Sequence, residues 1–287
     1  MRTRCADIRG RMLLLACALA ALPVLAGCST NPVTGRRELI LISGEQEVSM
    51  GKEAAPKFEE EFGGRVPNDQ LQQYVQAVGQ RVAAASDRPM PYSYTLVASD
   101  VPNAFALPGG AIFITAGLMR RMMNEQQLAA VLGHETGHVA ARHSVKGMQQ
   151  QMGASVLVEL AGRIVAPDKA DAAQAVAKVV TSMGTLKYSR DDEYEADQVG
   201  IKYAARAGYN PWGMVELLTV LKSLSESEPG TLSEMFMTHP LSSKRIEQAQ
   251  QTIQADPGYA KWSPSTKDPA ADKFMAMRAL LPPEAKK

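Results

Sequence analysis

Five residues near the middle of the chain, His134-Glu135-Thr136-Gly137-His138, follow the pattern H-E-x-x-H. Two histidines four residues apart on an α-helix lie about 40° apart around the axis and one turn apart along it. Both imidazoles can therefore bind one metal ion at about 2.1 Å, and the glutamate beside the first histidine can act as general base on metal-bound water. The pattern predicts a zinc site with His134 and His138 as ligands and Glu135 as the base.

Helical phase supports this interpretation. His134, Glu135 and His138 recur at helical spacing with Val131 and Val139, so three ionisable groups occupy the stripe that should face the core. Burying such groups without partners would cost several kcal/mol. A metal ion removes that cost, whereas the alternative, a pair of hydrogen-bonded core histidines, needs a separate partner for each ring.

A hydrolytic zinc site needs a third protein ligand and one open position. Acidic residues are concentrated at 191–197 on a later predicted helix, where Glu193 and Asp197 share the buried stripe and Glu195 falls on the solvated face. We expect Glu193 to be the third ligand. Asp197, one turn further on, should accept a proton from a ligand histidine and fix its tautomer. The remaining acidic residues suit the positive end of a helix dipole.

Two of the four histidines lie outside the H-E-x-x-H pattern. His143 is five residues after His138 and thus about 140° away around the helix, so it should cap or pack rather than bind metal. His239 lies in a predicted loop, Thr238-His239-Pro240, directly before the helix that carries Arg245. On the residues alone, a loop histidine is more often solvated than functional.

Hydrophobic periodicity predicts a mainly helical α+β domain with a small, mostly antiparallel sheet. Asn124, followed three residues later by Gln127, has the form of a capping box and opens the helix that carries the metal pattern. The segment 144–187 should form two helical arms, divided at Pro167-Asp168, that pack near the site or over it. The predicted helices are 45–62, 69–85, 124–143, about 191–207, one opening at Asn210-Pro211 and one opening near Ser242, and the predicted strands are 92–99 and 111–115.

The N-terminus has the form of a signal peptide. Four arginines precede an apolar run at 12–26, which is shorter than the roughly 20 residues that a spanning helix needs. The run ends in Leu25-Ala26-Gly27-Cys28, which resembles the lipobox of bacterial lipoproteins and predicts a lipid on Cys28. A plain signal peptide with an incidental cysteine is the alternative. Cleavage would leave Cys28 as the only cysteine, so we expect no disulfide, and we expect no spanning helix in the mature chain.

These features divide the chain into four segments. They are a signal peptide at 1–27, a lipidated cysteine and tether at 28–44, a domain at 45–255 that carries the predicted zinc site, and a loosely structured tail at 256–287. The formal net charge is only +1, from 31 basic and 30 acidic residues, so nothing in the bulk charge indicates nucleic acid as a partner.

On these residues the chain strongly resembles the zinc endopeptidase family of HtpX and the CAAX prenyl proteases, in its periplasmic lipoprotein branch. The resemblance extends in order over most of residues 31–250. Its matching segments are Asn31-Pro32-Val33-Thr34-Gly35, Asn103-Ala104-Phe105-Ala106-Leu107-Pro108-Gly109-Gly110, the segment from His134 to His143, the segment from Ser189 to Asp197, and Thr238-His239-Pro240 with Arg245.

The resemblance implies a zincin domain of the gluzincin type that holds one zinc ion on His134, His138 and Glu193, with Asp197 and Arg245 behind the ligands. It also implies that His239 lies near the metal, either as a fourth ligand that keeps the enzyme latent or as a hydrogen-bond donor to the transition state. A substrate would add to an active-site edge strand through its backbone. That strand would be formed by Asn103, Ala104, Phe105, Gly109, Gly110, Ala111, Ile112 and Phe113.

The function expected from this is a zinc-dependent endopeptidase that cleaves misfolded or misassembled envelope proteins. Because Ser29 follows the cysteine, resemblance to enteric lipoproteins places it on the outer membrane, facing the periplasm. One alternative is a chaperone that keeps the zinc fold but rarely cuts, which has no need of Glu135. Another is a structural zinc protein, whose site would usually be closed by four ligands. The sequence leaves the substrate and the oligomeric state open.

Overall fold

The computed structural model describes residues 28–165, 169–227, 230 and 233–284. The predicted signal peptide and the predicted break at Pro167-Asp168 lie outside these residues. The described part is mainly helical, with short strands in its first half. Its strands are β1 (Cys28–Thr30), β2 (Arg37–Leu39), β3 (Ser93–Val97), β4 (Ala104–Ala106) and β5 (Ala111–Thr115). Its helices are α1 (Gly44–Glu61), α2 (Asp69–Ala83), α3 (Ala116–Arg121), α4 (Glu125–Ala140), α5 (His143–Met152), α6 (Ala154–Val165), α7 (Lys169–Thr185), α8 (Arg190–Arg206), α9 (Gly213–Ser227), α10 (Ser233–Thr238), α11 (Ser243–Ala255) and α12 (Ala271–Arg278).

The central sheet has the strand order β3-β5-β4 and is mixed. β4 and β5 are antiparallel, with Phe105 opposite Phe113. β3 and β5 are parallel, with Thr95 opposite Phe113, where the sequence predicted a mostly antiparallel sheet. A parallel pair needs a connection of about a dozen residues or more, and the segment between β3 and β5 supplies it while also forming β4. β5 is therefore the central strand.

Two apolar clusters form the core, one on each face of the central sheet. The larger cluster joins α2, α4, α8 and α9 and contains Leu71, Ile114 and Leu132, all fully buried. The second joins α1 to α6 and α7 through Phe58, Leu157 and Val179, which are also fully buried. The metal-binding pattern lies on α4, which packs against α2, α8 and α9 and also contacts β4 and β5 of the sheet.

The arms predicted at 144–187 are three helices rather than two. α5 ends at Gly153, whose φ of 88° is in the left-handed region that glycine adopts most readily, and α6 starts at the next residue. α6 and α7 pack against each other and against α1, while α7 also contacts α10. The arms therefore lie beside the segment that leads to His239.

The predicted tether at 28–44 is a β-hairpin that docks on the domain. β1 and β2 are antiparallel, with Cys28 opposite Leu39. Ile40 and Ile42, which follow β2, are buried in the second apolar cluster. The side chain of Gln149 on α5 donates to Leu39 O at 2.9 Å and accepts from Leu41 N at 3.2 Å. These contacts make the hairpin part of the folded domain.

The tail predicted to be loosely structured also packs on the domain. Phe274 on α12 is fully buried in the larger apolar cluster. Asp268 Oδ2 accepts from Glu125 N at 2.7 Å and from Gln126 N at 3.2 Å, so it binds free N–H groups in the first turn of α4. The local sequence carries no strong periodicity here because these contacts are made with residues more than a hundred positions earlier.

The helix boundaries elsewhere lie near the predicted ones. α9 starts at Gly213, two residues after Pro211, although the Asn210 side chain still accepts from Trp212 N at 3.1 Å. In the part of the chain that the structure describes, no helix combines the length and apolar character needed to cross a membrane.

Candidate metal centre

α4 presents the two histidines of the pattern from a helix that is buried on every face. Its N-terminus is capped by Asn124, whose side chain accepts from Gln127 N at 2.9 Å. The predicted reciprocal bond is made instead to the preceding residue, because Gln127 Oε1 accepts from Met123 N at 2.9 Å. Since all sixteen residues of α4 are buried, the apolar stripe inferred from helical phase is only one part of a wholly enclosed surface.

α4 ends at Ala140, three residues earlier than predicted. Arg142 adopts a left-handed backbone conformation with φ of 61°, and α5 begins at His143. This conformation is rare for a residue with a Cβ, and the surroundings hold it in place. Arg142 Nε donates to Glu47 Oε2 at 2.9 Å, and its Nη2 donates to Ile42 O at 2.8 Å. The reversal brings the His143 side chain back towards His138.

Paired glycines let α8 cross α4 at short range. A Cβ on Gly200 would lie 2.8 Å from His134 N, and a Cβ on Gly133 would lie 2.9 Å from Gly200 O. Both distances are too short for ordinary packing, so these glycines are needed for the close approach of the helices. The N-terminus of α8 is fixed by a capping box between Ser189 and Asp192. The crossing places Glu193 against the histidines.

Four buried residues can together hold one metal ion: His134, His138, Glu193 and His239, with one ligand atom of each within 4.8 Å of the others. His134 Nε2 lies 3.0 Å from His138 Nε2 and 3.4 Å from His239 Nδ1. Glu193 Oε1 lies 3.3 Å from His138 Nε2 and 3.0 Å from His239 Nδ1.

The donor set and its spacing fit one zinc ion. Ligand atoms about 2.1 Å from zinc in a tetrahedral site lie about 3.4 Å apart, close to these separations. His134 Nε2 faces two other ring nitrogens, His138 Nε2 and His239 Nδ1. A single shared proton cannot satisfy the lone pairs of all three atoms, whereas one metal cation can. Glu193 Oε2 is also buried without a hydrogen-bond partner among the described residues, although Arg245 Nη1 forms an ion pair with it.

His239 enters this cluster from the end of α10, and it is buried rather than solvated. Its backbone N–H donates to Met235 O at 2.7 Å, and Thr238 O accepts from Tyr188 N at 3.1 Å, which ties the segment to the start of α8. His239 Nε2 lies 3.8 Å from Glu135 Oε1. His239 therefore contacts both the potential ligands and Glu135.

Glu135 lies beside the cluster and is not one of its four members. Its side chain is buried, and its Oε2 has no hydrogen-bond partner in the part of the chain that is described. Burial raises the pKa of Glu135 above its ordinary value and outweighs the opposite effect of His239 and His134. A carboxylate of this kind is suited to exchanging protons with a bound molecule.

Asp197 and Arg245 lie behind the potential ligands. Asp197 Oδ1 is 3.0 Å from His134 Nδ1. Burial alone would raise the pKa of Asp197, but the charge and hydrogen bonds of Arg245 outweigh it and lower that pKa. Burial likewise opposes ionisation of Glu193, but Arg245 and the histidines hold its pKa well below the ordinary value. Both carboxylates therefore remain ionised.

Two residues outside the predicted ligand set also contact the cluster, and one of them is His143, which was predicted to cap or pack. His143 Nδ1 lies 3.0 Å from His138 Nδ1. The Tyr188 ring stacks on the His138 ring with centroids 4.0 Å apart. Glu195, expected on the solvated face of α8, is partly buried and lies 3.6 Å from His143 Nε2. Helical spacing could not reveal His143, because its position depends on the backbone reversal at Arg142.

The predicted substrate strand is only partly an edge. Ile112 and Phe113 belong to the central strand β5 and are paired on both sides, and Ala111 pairs with β3 and accepts from Leu107 N at 2.9 Å, so this strand cannot receive an added strand. Gly109 and Gly110 form a turn with φ of 81° and 100° that packs against α1 and Tyr92 rather than at the metal. Asn103 is buried, with its side chain bonded to Ala104 N at 2.9 Å. β4 is the remaining edge.

β4 lies near the metal centre and is already partly bonded. Ala106 O accepts from Ser144 Oγ at 2.8 Å, and Ser144 Oγ lies 2.9 Å from Tyr188 Oη. Ala104, Phe105 and Ala106 are all buried. A substrate strand could therefore reach this edge only after the surrounding segments move apart.

A small apolar cavity of about 20 Å³ adjoins the metal centre. His134, Glu135, His239 and Arg245 form its polar wall. Its apolar wall comes mainly from α4, α9 and the segment around His239, and consists of Val131, Met214, Leu217, Leu218, Leu221, Met235 and Leu241. The cavity has room for about one water molecule, so a substrate side chain could enter it only after the surrounding segments move apart.

Comparison with known proteins gives matches across most of the chain. The family described as Peptidase family M48 matches residues 69–253. The beta-barrel assembly-enhancing protease of Yersinia pestis is 30% identical over 261 residues, which cover 82% of this chain and 51% of that protein. Mitochondrial metalloendopeptidase OMA1 of Schizosaccharomyces pombe is 30% identical over 226 residues, 77% of this chain and 65% of that protein. Metalloprotease LoiP of Escherichia coli (strain K12) is 34% identical over 170 residues, 58% of this chain and 64% of that protein. The chain spans about half the length of the beta-barrel assembly-enhancing proteases that it matches.

Proposed function

The chain belongs to peptidase family M48, and on this premise we propose that it is a zinc-dependent endopeptidase that cleaves misfolded or misassembled envelope proteins. The observation that carries this proposal is the position of Glu135. A buried carboxylate with an unbonded oxygen lies beside a four-residue cluster that fits one zinc ion. A protein that only bound zinc for structural reasons would have no use for that carboxylate.

His134, His138 and Glu193 would hold the metal. When bound, a zinc ion supplies a Lewis acid that polarises the scissile carbonyl and makes a water molecule a better nucleophile near neutral pH. Glu135 takes the proton from the attacking water and then donates it to the leaving amine, a role for which a raised pKa is favourable. Asp197 orients the ring of His134, and Arg245 keeps Asp197 and Glu193 ionised.

Once the surrounding segments have moved apart, β4 would bind the substrate as an added strand, and the widened apolar cavity would receive one of its side chains. Backbone pairing reads little sequence, which suits an enzyme that acts on many unfolded chains. The name of the beta-barrel assembly-enhancing proteases favours proteins of the bacterial envelope as the substrates. A chaperone with the same fold is the second candidate. The four residues of the metal cluster are buried, which favours a closed form of the protein that cannot cleave substrates until the cluster is exposed.

The predicted lipid on Cys28 would hold the enzyme on the outer membrane, facing the periplasm. Cys28 lies opposite Leu39 in the docked hairpin, so the anchor would leave little slack between the membrane and the domain. Mass spectrometry of the mature protein should find an acylated N-terminal Cys28, and Cys28→Ala should move the protein out of the membrane fraction. An unmodified mature N-terminus at another residue would refute this part of the proposal.

Hydrolysis of casein by the purified protein tests the activity. We expect cleavage that a zinc chelator abolishes and that added zinc restores. His134→Ala, His138→Ala and Glu193→Ala should each lose both zinc and cleavage. Chelator-resistant cleavage would overturn the assignment, and zinc binding without any cleavage of unfolded proteins would favour the chaperone.

A further inference from the structure

The metal centre is connected to the N-terminal hairpin by a row of side chains. The first member is His143, which is buried and contacts the potential ligand His138 through the two Nδ1 atoms. His138 directs Nε2 towards the cluster. Since a ligating histidine donates its other ring N–H to a partner, His138 Nδ1 is the donor and His143 Nδ1 the acceptor. His143 must then carry its own proton on Nε2.

That Nε2 atom faces two carboxylates of α8. It lies 3.5 Å from Asp192 Oδ1 and 3.6 Å from Glu195 Oε1. Both carboxylates lie at ion-pair distance from the ring, and their negative charge favours a proton on Nε2 and orients the ring. Lys146 Nζ also faces this group, 3.5 Å from Asp192 Oδ1. The orientation of His143 therefore depends on where these carboxylates are held.

Asn31 holds Glu195 from the hairpin side. Asn31 is buried, and its Nδ2 donates to Glu195 Oε1 at 3.3 Å and to Glu38 Oε1 at 3.4 Å. Its Oδ1 accepts from Val33 N at 2.9 Å and from Thr34 N at 3.3 Å. These partners fix which end of the amide carries oxygen, because backbone N–H groups need an acceptor and carboxylates need a donor.

We propose that the β1–β2 hairpin is a positioning element of the metal centre, acting through Asn31, Glu195 and His143 on the ring of His138. The inference rests on the proposed zinc site. Asn31 fixes Glu195, Glu195 fixes His143, and His143 holds His138 Nε2 in the direction that metal binding requires. The hairpin that begins at the predicted lipid site thereby contributes to zinc affinity.

The hairpin has other attachments, so this effect can be separated from undocking. The Gln149 side chain bonds to the backbone of Leu39, the last residue of β2, and of Leu41. Ile40 and Ile42 are buried in the second apolar cluster. Arg142 Nη1 also donates to Ser29 Oγ at 3.2 Å. A change confined to the Asn31 amide should leave these contacts in place.

Asn31→Asp is the sharpest test. It keeps the oxygen that accepts from Val33 and Thr34 but places a carboxylate against Glu195 and Glu38. We expect zinc affinity, measured by competition with a chromogenic chelator, to fall about tenfold, the lower end of the range for residues behind metal ligands. The absorption spectrum of the cobalt-substituted protein should change as well. Asn210→Asp is a matched control, because Asn210 is also a buried turn residue whose amide accepts from Trp212 N and donates to Ser263 O.

A second change should reverse the first. In the double variant Asn31→Asp with Glu195→Gln, the new amide can donate to the carboxylate introduced at position 31, which removes the repulsion, while Asp192 still faces His143 Nε2, so zinc affinity should recover at least in part. If Asn31→Asp does not fold, a second pair decides: His143→Gln, which retains an acceptor for His138, should bind zinc more tightly than His143→Ala. Asn31→Asp binding zinc as tightly as the parent, or a double variant no better than the single one, would overturn the inference. A parent protein that does not bind zinc would instead overturn the proposed function.

Discussion

Arg245 binds Asp197 through two parallel hydrogen bonds, Nε to Oδ2 and Nη2 to Oδ1, each 2.7 Å long. Both residues are buried, and Arg245 also pairs with Glu193. A forked guanidinium meeting a carboxylate in this way provides both charge and fixed geometry. Arg245 therefore connects the carboxylate behind His134 with Glu193, the potential carboxylate ligand.

Arg245→Gln should destabilise the metal-free protein by about 3–5 kcal/mol, because it leaves two buried carboxylates without a counter-charge. Arg245→Lys, which keeps the charge but not the fork, should lie between parent and Gln variant. Because the Asp197 pKa is lowered in the folded protein, the pair stabilises above the ordinary aspartate pKa and its contribution is lost as the pH falls through the lowered value. Urea unfolding at several pH values measures this, and a loss below about 1 kcal/mol at neutral pH would contradict it.

His239→Ala should raise casein cleavage while zinc stays bound. His239 Nδ1 is close enough to His134 Nε2 and Glu193 Oε1 to complete the ligand set, so its removal would free the fourth position for water and substrate. The alternative role, hydrogen bonding to the transition state, predicts a loss of roughly a hundredfold or more in turnover. Activity equal to that of the parent within error would exclude both roles.

Gly200→Ala should weaken zinc binding and lower stability by about 1–3 kcal/mol, because the added Cβ would lie 2.8 Å from His134 N and push α8 away from α4. Gly162→Ala on α6 is the matched control. Nothing lies within 4 Å of a Cβ there, so alanine should be neutral or should stabilise the helix by about 0.5–1 kcal/mol. Equal effects of the two substitutions on thermal unfolding and zinc affinity would argue against the close crossing.

Phe274→Ala should destabilise the protein by about 3–5 kcal/mol, because the ring is fully buried against the domain. Its neighbour Met275 is 36% exposed and gives a matched control, since Met275→Ala should cost far less. Denaturant unfolding distinguishes the two. A Phe274 variant as stable as the Met275 variant would mean that α12 is not part of the cooperative unit.

The potential zinc ligands could be predicted because their signal is local. His134 and His138 lie one helical turn apart, and the phase of Glu193 and Asp197 on α8 is set by the same regular geometry. His239 could be assigned only through a resemblance to a family, because a loop carries no periodicity.

Other features depend on contacts between distant parts of the chain. His143 reaches His138 because Glu47 and Ile42 O hold Arg142 in a left-handed conformation. β3 pairs with β5 in parallel because the chain first forms β4, which pairs with the other edge of β5. The docking of α12 depends on a core that forms from earlier helices. None of these contacts produces a pattern in the neighbouring sequence.

The most direct test of the proposed chemistry is a paired measurement on Glu135→Gln, in which zinc per chain and casein cleavage are determined on the same preparation. Glu135 lies beside the cluster without belonging to it, and its Oε2 has no partner among the described residues. We expect the variant to keep one zinc ion per chain while cleavage falls by about a hundredfold or more. Loss of the zinc ion, or cleavage at the rate of the parent, would contradict the assignment of Glu135 as the general base.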